Sequence, residues 1–149
     1  SYTNTPNTAS ASDKSFVLTH SGLVDGLEVG FGQGEIDVTA DTQTMYAKYT
    51  VGSVTLGYQT SEIDYTGDTA DEDRDHIAVS FAVNENLSVS YGVSDVSMST
   101  AQDEESSGLS ASYTMGSMTF GLVMNKTENV AGGSANEDDF TEASVSFAF

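Results

Sequence analysis

The chain has no cysteine, no tryptophan and a single proline, Pro6, in 149 residues. Without cysteine there is neither a disulfide framework nor a thiolate metal site. Positive charge is nearly as scarce: Lys14, Lys48, Arg74 and Lys126 stand against 23 acidic residues, a formal net charge of -19. Nucleic-acid binding needs a basic footprint, so that class of partner is excluded. No apolar run has the length of a transmembrane helix. The opening segment 1–13, SYTNTPNTASASD, reads as neither a signal nor a transit peptide, which puts any export signal outside this sequence.

What the chain has instead is alternation. Counting back from its last residue, Phe149, Phe147, Val145 and Ala143 are apolar or small, and Ala148, Ser146, Ser144 and Glu142 lie between them. Such a strand has one greasy and one wet face. Chain ends normally fray in water, so a greasy aromatic terminus suits a strand stitched into a sheet that meets lipid. The same period recurs in Val54, Leu56 and Tyr58; in Ile77, Val79, Phe81 and Val83; in Leu87, Val89, Tyr91 and Val93; and in Met118, Phe120, Leu122 and Met124. Strands are predicted over 14–22, 27–36, 43–51, 53–62, 75–84, 86–96, 107–116, 117–128 and 140–149. Short connections rich in Gly, Asn and Asp alternate with long acidic ones at 37–42, 63–74, 97–106 and 129–139. High acidity can accompany disorder, but seven Tyr and seven Phe at regular intervals argue for a folded sheet.

An antiparallel sheet with one wet face also fits a soluble sandwich. Three features favour a membrane barrel. The short–long alternation of connections is that of an up-and-down meander. Tyr49, Tyr58, Tyr91 and Tyr113 share the apolar face, as aromatic girdles do. The acids are sorted by end: 20 of the 23 lie in or beside the long connections and the N-terminal segment, and only Asp25, Glu28 and Glu85 flank the short turns.

The segments SGLVDGLEVGFGQGE, NENLSVSYGVSD, SGLSASYTMGSMTFGLVMNK and the closing TEASVSFAF resemble the C-terminal half of Gram-negative general porins of the alphaproteobacterial type. The resemblance implies an all-β, antiparallel, up-and-down transmembrane barrel, of which this chain is roughly nine strands out of sixteen. It further implies a homotrimer in the outer membrane, in contact with the bilayer and lipopolysaccharide. Residues 1–13 would be the remnant of an extracellular loop and 14–149 the C-terminal portion of the barrel. The acidic loops would be extracellular and the C-terminus periplasmic. Phe147 and Phe149 would belong to the signal read by the assembly machinery. Bacterial single-chain barrels have an even number of strands, so nine call for further strands from the same or another chain.

Candidate residues follow from parity. Lys48, mid-strand in MYAKYT, points to the wet side with Tyr46, because Met45, Ala47, Tyr49 and Val51 hold the greasy side. Gln59, Asn125 and Glu142 share that wet side, the last two near the outer rim. Lys48 reads either as a selectivity residue that meets passing anions or pairs with an acid of the missing constriction, or as a plain solvated lysine. Asp68, Asp71, Glu72, Asp73 and Asp75 read either as a solvated acidic loop or as ligands bridging through Ca²⁺ or Mg²⁺ to lipopolysaccharide or a neighbour, since hard cations take carboxylate oxygens. An EF-hand is excluded: His76 stands where its glycine is needed and Ala82 where its bidentate glutamate belongs. Gly30, Gly32 and Gly34 lie inside a strand pattern with no helix to follow, so a phosphate-binding loop fails on context. The wet-face serines have no His–Asp relay, and no catalytic site is expected. The functional expectation is a passive, mildly cation-preferring diffusion channel that needs no cofactor. The alternative is a structural, adhesive or receptor barrel with cation-binding acidic loops.

Overall fold

Tight turns set the register of the sheet. Gly52-Ser53 joins Val51 to Val54, and Gly116-Ser117 joins Met115 to Met118; the glycines take φ 58° and 63°. A positive φ at the first position of a two-residue loop matches the right-handed twist of the strands it joins. At a third turn, Asn84 Oδ1 accepts the backbone N–H groups of Asn86 and Leu87 at 2.9 and 3.0 Å, an Asx-type closure.

A computed structural model describes residues 2–6, 12–36, 40–67, 71–99 and 101–148. The strands are β1 (Tyr2–Pro6), β2 (Ser12–His20), β3 (Leu27–Ile36), β4 (Ala40–Val51), β5 (Val54–Tyr65), β6 (Glu72–Ala82), β7 (Leu87–Met98), β8 (Glu104–Met115), β9 (Met118–Glu128) and β10 (Glu137–Phe147). All lie in one sheet in sequence order, each antiparallel to the next. The sheet is not closed: β1 and β10 are its two edges. Among the described residues there is no α-helix, only a 3₁₀ turn at Val130–Gly132.

The nine expected strands are present as β2 to β10. The segment expected to be a loop remnant contributes one more, the short β1, paired with the start of β2. Most strands also run further toward the long connections than their hydropathy suggests. β6 begins at Glu72, β8 at Glu104 and β10 at Glu137, and β5 continues to Tyr65.

Register divides the side chains between two faces. Leu27, Tyr49, Leu56, Val79, Tyr91, Leu109 and Met124 are cross-strand partners in one continuous row. Val51, Val54, Phe81, Val89, Ala111, Leu122 and Ala143 form the next. This apolar face is uncovered: Leu56 is 50% exposed, Ile77 56% and Phe147 55%, and Ala40 is the one buried hydrophobic residue among those described. A soluble domain places such side chains inside, so an exposed apolar face of this kind is unusual for a surface that meets only water.

Candidate functional site

The opposite face is made of small and hydroxylated side chains that bond to one another across strands. Thr44 Oγ1 donates to Ser61 Oγ at 3.1 Å. Thr50 and Thr55 meet at 3.1 Å, Ser90 and Ser110 at 2.7 Å, Ser106 and Thr127 at 3.0 Å, and Thr114 and Thr119 at 3.1 Å. Each is a directly opposed pair in the ladder. Between these pairs the floor drops. Gly57, Ala78, Gly92 and Gly108 are cross-strand neighbours on four adjacent strands. A hollow of ≈430 Å³ lies over part of this floor, bordered by His76, Ser94, Ser106, Asn125 and Thr127. Phe140 is an apolar exception on this face, directly opposite Asn125.

The five residues expected on the wet side, Tyr46, Lys48, Gln59, Asn125 and Glu142, all fall on this polar face by register. Asn125 lies toward the long-connection end of β9, with its Oδ1 above Gly108. Two depths differ from expectation. Glu142 is in the middle of β10, not near the rim, because that strand begins at Glu137. Lys48 lies near the short-turn end of β4, which runs back to Ala40. Gln59 Nε2 donates to Ser61 Oγ at 3.3 Å.

Lys48 is not a solitary cation. Glu28, directly opposite on β3, takes its ammonium at 3.0 Å on Oε2. The other carboxylate oxygen accepts the Tyr46 hydroxyl at 2.9 Å. Tyr46 can lie across β3 because Gly30 is its cross-strand partner. A Cβ on Gly30 would run into the Tyr46 ring. The strand glycine thus serves close packing, as glycines inside strands commonly do.

Toward the long connections both faces turn polar. Asp75, Asp95, Glu105, Glu128 and Glu137 are successive cross-strand partners on β6 to β10, and they continue the parity of the apolar face. Like charges directly opposed destabilise a sheet. Here two contacts relieve them: Lys126 Nζ on Glu128 at 2.5 Å, and the Tyr58 hydroxyl on Asp75 at 2.7 Å. Beside them, Glu62 has its pKa raised, first by the charge of Asp64, then by desolvation and the charges of Asp73 and Asp71.

Of the expected metal set, Asp68 lies outside the described residues. Asp71 Oδ1 is occupied by the Tyr65 backbone N–H at 2.9 Å, and Glu72 is paired with Arg74. Glu72 falls on the polar-face parity of β6, and Asp73 and Asp75 on the other. Among the described residues no three His, Asp or Glu side chains are grouped as a metal ion would need. Of the expected assembly signal, Phe147 ends β10 on the apolar face, and Phe149 lies outside the described residues. Against known protein families and characterised proteins, the chain matches no family model and no curated sequence.

Proposed function

We propose that this sheet is part of the wall of an aqueous channel in the bacterial outer membrane, through which small hydrophilic solutes and ions diffuse passively. The observation that carries the reading is the pairing of one uncovered apolar face with one hydroxyl-lined face in a single meandering sheet. A soluble sandwich would need a second sheet to cover the apolar side. In a bilayer that side dissolves in lipid, while a curved sheet turns its Ser, Thr and Gly face toward water. Strands β2 to β10 are nine to twelve residues long, about the length that crosses a membrane at a tilt. Open edges in lipid leave backbone groups unpaired at a cost of several kcal/mol each. The edges β1 and β10 therefore join further strands, in keeping with the resemblance to sixteen-stranded trimeric porins. The short turns would then be periplasmic, with the acidic rim outside beside lipopolysaccharide.

The rim sets the selectivity. Several strands' worth of carboxylates at one mouth concentrate cations and depress anion entry. Reversal potentials in a planar bilayer under a salt gradient are expected to show a mild cation preference that fades at high ionic strength. It should also decline on acidification, with Glu62 losing its charge above the ordinary carboxylate range because its pKa is raised. An anion preference at neutral pH would refute the proposal.

A further inference from the structure

We infer that Glu28 sets the charge that Lys48 presents to passing solutes, so that a lysine on the channel wall contributes no anion site. This inference rests on the channel reading. Lys48 is the one basic residue on the polar face of β3 to β5, and alone it would attract anions. Its ammonium is 3.0 Å from Glu28 Oε2, with the two residues directly opposed on adjacent strands. The carboxylate is held from its other side by the Tyr46 hydroxyl at 2.9 Å, so it is not free to swing to another partner. Gly30 leaves the space that lets the Tyr46 ring reach over β3. The four residues form one unit: Gly30 admits the ring, Tyr46 orients the carboxylate and the carboxylate cancels the lysine. Both charged side chains remain accessible, at 49% and 37% exposure for Lys48 and Glu28, so the pair faces solvent and solutes meet it directly.

The test uses reversal potentials of the native polypeptide and three variants in planar bilayers. Glu28→Gln keeps the shape and the Tyr46 contact but uncovers Lys48, and the cation-to-anion permeability ratio should fall about twofold at low salt. Lys48→Gln uncovers Glu28 and should raise the ratio by a similar factor; it carries the test if Glu28→Gln fails to insert. The exchange Glu28→Lys with Lys48→Glu rebuilds the pair and should return the ratio to that of the unsubstituted protein. Conducting Glu28→Gln channels with an unchanged ratio would overturn the inference and leave the channel reading standing. Absence of any conductance from the unsubstituted protein would overturn the channel reading, and this inference with it.

Discussion

Replacing Leu109 by arginine is expected to cost about 2–4 kcal/mol of folding stability in a bilayer, whereas Ser110→Arg, one residue further along β8, is expected to cost about 1 kcal/mol or less. The two positions differ only in face. Leu109 stands between Tyr91 and Met124 in an apolar row and is 44% exposed on the apolar face. Ser110 points the other way, 2.7 Å from Ser90. An arginine there gives up one hydroxyl pair and extends into water. Unfolding of the native polypeptide from lipid vesicles by denaturant, followed by circular dichroism, measures both. Equal costs would mean that the faces are not lipid and water. A larger cost at Ser110 would mean that they are reversed.

The second large effect comes from the backbone. Ser90 is in the interior of β7, paired with Ser80 on one side and Ser110 on the other. Proline there removes an N–H from a ladder flanked by strands on both sides and leaves a carbonyl without its donor. In a bilayer each orphan group costs several kcal/mol, since no water reaches it from the lipid side. Ser90→Pro is therefore expected to prevent stable insertion. Ser90→Ala, which loses only the hydroxyl contact, should cost about 0.2–1 kcal/mol. The ratio of vesicle-inserted to protease-sensitive protein distinguishes the two. Normal insertion of the proline variant would show that Ser90 is not inside a two-sided ladder.

Much of this architecture is legible in the sequence, and the omissions share a cause. β3 runs over 27–36 as its pattern predicts, because Leu27, Val29 and Phe31 alternate with Glu28, Gly30 and Gly32 up to a clear break. β5 runs longer than expected through Ile63 and Tyr65, which fall on the polar-face parity and so break the alternation, and β6, β8 and β10 do so through Glu72–Arg74, Glu104–Ser106 and Glu137–Asp139. In these last three both faces are polar, so the period that reveals a strand disappears while the ladder continues. β1 was hidden in the same way, in a small polar segment with no apolar face. The Thr50–Thr55 and Thr114–Thr119 pairs could be counted out from their two-residue turns, since turn length fixes register.

The Glu28–Lys48 pair could not be found in that way. It bridges β3 and β4, whose register runs from Ile36 opposite Ala40, whereas the sequence pattern predicts a longer connection at 37–42 and so leaves that register unassigned. Parity placed Lys48 on the polar face, but only the register supplied its partner. Parity likewise placed Glu142 correctly by face, while its depth depended on where β10 begins.

The central claim is that one face of this sheet meets lipid and the other meets water. Site-directed spin labelling along β7 tests it most directly, and these 149 residues contain no cysteine to compete with the introduced label. Labels at Leu87, Val89, Tyr91 and Val93, in membrane-reconstituted protein, should collide preferentially with lipid-soluble oxygen. Labels at Ser88, Ser90, Gly92 and Ser94 should collide preferentially with a water-soluble nickel chelate. The two accessibilities should oscillate out of phase with a period of two. In-phase accessibilities, or apolar positions shielded from both reagents as in a sandwich core, would contradict the account.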